Sequence, residues 1–188
     1  MFKELVKKLW IINIIFVMTM LNFVFWVKDE VEATVAEGKF TAAEFPYNVT
    51  FVKTSLSQWN SAAIDTDGNL WMWGSNYYGQ LGNGNTTDST TPIIVKKGTK
   101  FIDVSIKNGY ALAIDQSQKL WAWGYNGYGQ LGNGNTTDST TPVAVQSSTT
   151  FKKVSAGADG SCLAIDTSGN LWTWGNNMWG QAGNGTKT

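Results

Sequence analysis

The protein has 188 residues, its 14 lysines balance 14 acidic residues, and it contains neither arginine nor histidine. Histidine is the commonest general base and metal ligand, and arginine is the side chain that reads phosphate and guanine. Because both are missing and no catalytic or cofactor motif is present, we expect a protein that is not an enzyme. We also expect no cofactor, no bound metal and no nucleic-acid partner.

Residues 1–33 are predicted to be a signal peptide or an uncleaved membrane anchor. Residues 1–8 carry three lysines, and residues 9–27 form an uncharged run of 19 residues. A positive segment before an apolar run is typical of a secretory signal, and 19 residues are also enough for a helix to span a bilayer. The charge bias places the rest of the chain outside. We therefore expect a protein that is secreted or anchored to the outer face of the cytoplasmic membrane.

After a lead-in at residues 34–50, the chain repeats with a period of about fifty residues. The units are residues 51–100, 101–150 and an incomplete 151–188. The stretch GQLGNGNTTDSTTP occurs letter for letter at residues 79–92 and 129–142. In the first unit the pattern predicts strands at residues 51–56, 61–65, 70–74 and 92–96, with Pro92 opening its strand, where a missing donor is tolerated. The third unit lacks the fourth of these strands.

The third strand of each unit is apolar on both faces. In the first unit Trp71 and Trp73 point one way, while Leu70 and Met72 point the other. A strand buried on both faces belongs to a sheet that lies between two others, and four-stranded sheets packed around an axis form a propeller. The sequence predicts an all-β fold, a partial β-propeller of about three four-stranded blades, preceded by an N-terminal hydrophobic helix.

The pattern Asp-x-x-Gly-Asn-Leu-Trp-x-Trp-Gly-x-Asn-x-x-Gly-Gln-Leu-Gly-Asn-Gly at residues 65–84 resembles the repeat of the regulator of chromosome condensation family. The second copy departs from it at Gln118 and Lys119, and the third departs at Ala182. The resemblance implies a seven-bladed propeller, of which this chain has fewer than three units. A truncated product is one interpretation. The other is head-to-tail self-association, in which the candidate strand at residues 46–50 completes the last blade of another chain.

Two motifs are better explained by structure than by chemistry. Residues 65–69, DTDGN, are similar to the start of a calcium loop, but the equivalent stretches at 115–119 and 166–170 lack the second acid, so we expect a hairpin turn. Cys162 lies in a predicted strand, and the chain offers no histidine to activate its thiol. We interpret it as a small buried hydrophobic residue. The tryptophan pairs are predicted to pack between blades, not to bind sugars or bases.

The units differ most between their first and second strands and just after the third. Repeat scaffolds usually place recognition in loops that vary on a constant frame, although neutral drift would give the same pattern. The copied stretch is then predicted to be scaffold. The candidate partner-binding residues are Trp59, Asn60, Tyr77, Tyr78, Asn108, Tyr110, Tyr128, Asp159, Met178 and Trp179.

These features predict an exported, non-enzymatic, protein-binding β-propeller scaffold whose partner is another protein. The family that the repeat resembles includes a nuclear guanine-nucleotide exchange factor and secreted bacterial propellers that inhibit an enzyme by covering it. Export favours the second analogy. The alternatives are a membrane-tethered structural or adhesive surface protein, and a fragment of a longer propeller without independent function.

Overall fold

The computed structural model of the protein describes residues 49–187, which contain eleven β-strands and no helix that could cross a membrane. The hydrophobic helix predicted within residues 1–33 lies outside the described residues. The candidate strand at residues 46–50 lies outside them as well, apart from Val49 and Thr50, which are not in a strand.

The strands form three antiparallel sheets, which we call blades 1, 2 and 3. Strands follow one another in sequence order within each sheet. Blade 1 contains β1 (Phe51–Leu56), β2 (Asn60–Asp65), β3 (Leu70–Gly74) and β4 (Ser89–Val95); blade 2 contains β5 (Phe101–Lys107), β6 (Tyr110–Asp115), β7 (Leu120–Gly124) and β8 (Ser139–Val145). Blade 3 contains β9 (Phe151–Ala156), β10 (Ser161–Asp166) and β11 (Leu171–Gly175). The predicted fold class is confirmed, and so is the three-stranded third unit within the described residues.

The predicted position of Pro92 at the start of its strand is wrong. The strand β4 begins three residues earlier, and Ser89 pairs with Gly74 across an irregularity in the ladder. Proline fits inside β4 because this strand is the edge of its sheet, where one side of the backbone has no ladder partner. The strand ends at Val95, since Lys96 has a φ of 47°.

The blades pack face to face through alternating side chains. The face of blade 1 that carries Leu70 and Met72 is covered by β5 and by the fully buried Trp123 of blade 2. In the same way, blade 3 covers blade 2. The second interface consists of Tyr110, Leu112, Ile114, Leu120, Ala122, Leu131, Val145, Phe151, Val154, Ala156, Cys162 and Ala164, with Val143, Trp172 and Trp174 packed against it. The predicted packing of tryptophans between blades is confirmed for the pairs of blades 2 and 3, whereas Trp71 and Trp73 of blade 1 belong to neither inter-blade cluster.

The copied stretch is held together by one buried asparagine. The Asn76 side chain donates to the carbonyl oxygens of Asn85 and Thr87, both at 3.0 Å, and accepts from the backbone nitrogen of Leu81 at 2.9 Å. Asn126 repeats these contacts in blade 2. The amide thus ties together residues 81, 85 and 87 of the loop, so the copied stretch forms scaffold.

The hairpin turn predicted at residues 65–69 is confirmed. The Asp65 carboxylate accepts from the backbone and side-chain nitrogens of Asn69 and from the indole nitrogen of Trp71, each at 2.8 Å. Burial alone would raise the pKa of Asp65, but these hydrogen bonds outweigh it and lower the pKa from its ordinary value. The backbone and indole contacts recur at Asp115 and Asp166, with indole distances of 2.8 and 3.0 Å. Among residues 49–187 no cluster of three potential ligands could hold a metal ion.

The repeat offers a matched test of blade packing. Leu120 and Leu171 occupy the same repeat position, but Leu120 is 1% exposed between blades 2 and 3, whereas Leu171 is 64% exposed on the outer face of blade 3. We expect Leu120→Ala to lower the free energy of unfolding by about 2–5 kcal/mol and Leu171→Ala by less than about 1 kcal/mol. Guanidinium unfolding followed by tryptophan fluorescence measures both, and equal losses would contradict the packing.

Candidate binding surface of the inter-strand loops

The two variable segments of each unit lie side by side. The backbone nitrogen of Ser75, just after β3, donates to the carbonyl oxygen of Trp59 in the β1–β2 turn at 3.0 Å. The same hydrogen bond joins Tyr125 to Gly109 at 2.9 Å and Asn176 to Gly160 at 3.1 Å. Residues 57–60 and 75–80, with their equivalents at 107–110, 125–130, 157–161 and 176–181, therefore form one surface, which we call the loop surface.

A glycine at the end of each third strand permits this contact. The Cβ that another residue would add at Gly74 would lie 2.2 Å from the carbonyl oxygen of Trp59, and at Gly124 it would lie 2.3 Å from that of Gly109. Both glycines also have positive φ values, 110° and 96°. The invariant Trp-Gly pair of the repeat thus brings two loops within hydrogen-bond distance.

Four tyrosines form a continuous row on the loop surface. The ring centroids of Tyr77 and Tyr78 lie 4.9 Å apart, those of Tyr78 and Tyr125 lie 4.9 Å apart, and those of Tyr125 and Tyr128 lie 6.2 Å apart. Their edge-to-face and tilted geometries are favourable for aromatic pairs. The row crosses from blade 1 to blade 2, and its outer members stay exposed, Tyr77 at 75% and Tyr128 at 50%.

Tyr78 and Tyr128 each lie over a glycine of the following blade. A Cβ at Gly109 would lie 2.8 Å from the ring of Tyr78, and one at Gly160 would lie 3.2 Å from the ring of Tyr128. The first unit has Trp59 at this position, and its side chain is exposed. The aromatic residue of one unit is therefore positioned by the glycine of the next.

A cavity of about 320 Å³ opens on the loop surface between blades 2 and 3. Five of the ten predicted partner-binding residues line it: Asn108, Tyr110, Tyr128, Asp159 and Met178. The other lining residues are Tyr125, Gln130, Ala158, Gly160 and Asn176. The structure therefore brings together residues from loops that lie about fifty positions apart in the sequence.

The remaining predicted residues lie outside the cavity. Trp59, Tyr77 and Trp179 are exposed on the loop surface, and Tyr78 is half-buried in the tyrosine row. Asn60 is buried, and its side-chain amide donates to the carbonyl oxygen of Ser75. Asn60 thus stabilises the junction between the two loops.

Sequence reasoning missed Tyr125, Gln130 and Asn176. The position directly after the Trp-Gly pair is Ser75, Tyr125 and Asn176 in successive units, so its variation was a usable signal. Gln130 belongs to the copied stretch, and its side-chain oxygen accepts from the backbone nitrogen of Tyr128 at 2.8 Å. A scaffold residue therefore also lines the cavity.

The ionisable groups near the cavity differ in their protonation. Burial raises the pKa of the Tyr110 hydroxyl, which lies 2.8 Å from the carbonyl oxygen of Gly157. Burial also raises the pKa of the Cys162 thiol to about 12, so this thiol is protonated near neutral pH. Hydrogen bonds from Ser161 and Gln181 lower the pKa of Asp159, which is ionised. The prediction that Cys162 is a small buried residue is confirmed.

Stacked antiparallel sheets of three or four strands, with an indole pair on the third strand of each, define a β-propeller of repeated blades. Models of the regulator of chromosome condensation (RCC1) repeat match residues 67–114 and 118–164 in one case, and residues 51–80 and 101–130 in another. The chain belongs to this repeat family, as its sequence pattern predicts.

Two solved structures share the fold. Human WBSCR16 superimposes with a TM-score of 0.67 at 21% sequence identity, over 76% of this chain and 37% of that one. Prp20p of Saccharomyces cerevisiae superimposes with a TM-score of 0.64 at 18% identity, over 72% of this chain and 35% of that one. In sequence, the human E3 ubiquitin-protein ligase HERC2 is 47% identical over 45 residues, which are 23% of this chain and 1% of that protein.

The chain spans about a third of the length of these two structural relatives and a small fraction of HERC2. At identities of 21% and 18%, the two structures show the fold alone.

The glycine beneath Tyr78 gives a second matched test. Gly109 and Gly169 have φ values of 90° and 93°, but a Cβ at Gly109 would meet the Tyr78 ring, whereas one at Gly169 would meet nothing within 4 Å. We expect Gly109→Ala to lower the free energy of unfolding by about 2–4 kcal/mol and Gly169→Ala by about 1 kcal/mol. Urea unfolding measures both. Equal losses would mean that Tyr78 moves away freely.

Proposed function

We propose that the protein is a non-enzymatic scaffold that binds another protein through the loop surface. The observation that carries this proposal is the row of four tyrosines, which crosses a blade boundary and ends at a cavity. Tyrosine gives large contact area with little loss of side-chain entropy, and it is enriched at interface hot spots. The rings of Tyr78 and Tyr128 pack against Gly109 and Gly160 of the following blade, and such positioning before binding lowers the entropic cost of association.

Two further observations support this function. Prp20p, which shares the fold, has been described with its binding to Gsp1p and histones, so a related scaffold binds proteins. A protonated thiol, a buried tyrosine hydroxyl and one carboxylate line or border the cavity, and the chain contains no histidine. None of these groups is an activated nucleophile, and the lowered pKa of Asp159 makes it a weak base, which supports the non-enzymatic part of the proposal.

Export to the cell surface or the medium is part of the proposal, and it is supported by the charge bias and apolar run of residues 1–33. In both alternatives, a secreted inhibitor-like propeller and a tethered surface protein, the partner binds to the loop surface. Retention with the membrane fraction distinguishes the tethered form from the secreted one.

Substitutions on the loop surface test protein binding. We expect the combined variant Tyr77→Ala, Tyr128→Ala and Met178→Ala to weaken the partner's affinity by more than about tenfold, because truncated hot-spot residues each cost over about 1 kcal/mol. The partner is identified by photocrosslinking from position 77 of the full chain in mild detergent, and its affinity is then measured by calorimetry. Ile102→Ala, an exposed change on β5 outside the loop surface, is the control. Equal affinities for the two variants would overturn the proposal.

Head-to-tail self-association is a second candidate, favoured by two exposed leucines. Leu56 of blade 1 and Leu171 of blade 3 are 69% and 64% exposed. Their counterparts Ile106 and Leu70 lie in the same buried cluster between blades 1 and 2. Leu56 of one copy would therefore meet the face around Leu171 of another as these blades meet within the chain.

Light scattering after size-exclusion chromatography tests this second candidate. We expect oligomers of the full chain at micromolar concentration, and a monomer when Leu171→Glu places a charge on the outer face of blade 3. Ser168→Glu, in an exposed turn of the same blade, is the control and leaves the oligomers intact. A monomeric parent chain would discard self-association without affecting the loop surface.

A further inference from the structure

We propose that the cavity between blades 2 and 3 binds an organic cation, the alkylammonium or guanidinium group of a basic side chain. This inference rests on the proposed function, since it names the chemical feature by which a protein partner would enter the loop surface. The inference rests on the origin of the cavity, on its aromatic walls and on the negative charge of Asp159.

The cavity arises from one difference between the two blade boundaries. Across the boundary of blades 1 and 2, the ring of Tyr78 packs against Tyr125 at 4.9 Å. Across the boundary of blades 2 and 3, the residues at these positions are Tyr128 and Asn176, and both line the cavity. The smaller asparagine leaves unfilled the space that a second tyrosine ring occupies at the first boundary.

The walls are aromatic and polarizable. Tyr125 and Tyr128 both line the cavity, with ring centroids 6.2 Å apart and ring planes at 83°. Met178, which is 57% exposed, contributes a thioether side chain at the rim. Aromatic faces carry negative electrostatic potential and attract organic cations, most strongly when several rings border one site. The two rings therefore favour a positively charged group over a neutral apolar one.

Asp159 adds the charge. It carries the one carboxyl group among the lining residues, which include no lysine. Its carboxylate oxygens accept hydrogen bonds from Ser161 and Gln181, which position it without neutralising it. The ion pair within residues 49–187 joins Lys53 to Asp103. A cationic ligand would thus meet a fixed negative charge that no lysine of the described chain occupies.

Three side-chain amides around the cavity donate within the protein, and a fourth, Gln130, accepts from Tyr128 through its oxygen. Asn108 donates through its side chain to the carbonyl oxygen of Ala158, and Asn176 donates to that of Asp159 at 2.9 Å. Gln181 donates to the Asp159 carboxylate. The Asn108, Asn176 and Gln181 donors are therefore engaged within the protein, while the carboxylate charge remains. A cation is attracted by this charge and needs no hydrogen-bond donor from the protein. It therefore fits the arrangement better than an anion or a neutral sugar, which would use such donors.

Methyl spectroscopy of methionine tests the inference on the full chain in mild detergent. Met178 lines the cavity, and Met72 is fully buried between blades 1 and 2, so its methyl signal is an internal control. We expect n-butylammonium chloride to shift the Met178 signal saturably, with a dissociation constant on the order of millimolar, and to leave the Met72 signal unchanged. An equal shift from n-pentanol would overturn the inference, and so would a saturable shift from glucose with none from the ammonium ion.

Two variants and a control locate the site. Asn176→Tyr restores the residue found at the first boundary and is expected to abolish the shift while keeping the fold, as circular dichroism would show. Asp159→Asn keeps an acceptor for Ser161 and is expected to weaken binding about 5- to 10-fold. Asp67→Asn removes the same charge from an exposed turn of blade 1 and leaves binding unchanged. Unaltered binding in Asn176→Tyr would place the cation elsewhere.

A final arm separates a peptide side chain from a free amine. Lysine and norleucine, each acetylated on the α-nitrogen and carrying a C-terminal methylamide, differ only in the terminal ammonium of the side chain. Tetramethylammonium represents a free cation. Tighter binding of the lysine derivative than of tetramethylammonium supports a protein ligand, and the reverse order overturns that assignment. If no cation binds while the tyrosine variants still weaken the partner, the inference fails and the proposed function stands.

Discussion

The contact on which the rest of the structure depends is that of an indole ring with the loop of the preceding blade. The Trp123 side chain is fully buried, and its ring nitrogen donates to the carbonyl oxygen of Gln80 at 2.9 Å. Trp174 makes the same contact with Gln130 at 2.8 Å. A Cβ at Gly82 would lie 2.7 Å from the Trp123 ring nitrogen. Each indole thus combines apolar burial with a hydrogen-bonded ring nitrogen, and it requires a glycine beneath the ring.

That contact explains why the loop around Gln80 recurs with the same geometry around Gln130. The loop must place one carbonyl oxygen at the indole and one glycine under the ring, while the buried Asn76 amide ties its far side. Few sequences satisfy these conditions together, because a buried amide without its partners costs several kcal/mol, on the order of the stability of a small domain. The blades can then vary elsewhere without losing register.

The units differ in sequence at positions outside this contact. The residues directly after the Trp-Gly pair lie on the loop surface and belong to neither buried cluster between the blades. At Tyr125 the ring extends the tyrosine row, and at Asn176 the amide opens the cavity. One rigid frame therefore presents an aromatic row at one boundary and a recess at the next. Such differences between repeats are what a binding scaffold uses for recognition.

The sequence by itself determined the strands, the blades and the scaffold role of the copied stretch. Alternating side chains and a fifty-residue period follow from local geometry and from the need of each blade for an equivalent neighbour. Local pattern placed Pro92 wrongly, because whether a strand lies at the edge of its sheet depends on pairing. Only the tertiary structure decided that Tyr128, Asp159 and Asn176 share a cavity. Their contact depends on how two blades stack, and no periodicity within one unit encodes the distance between side chains of different units.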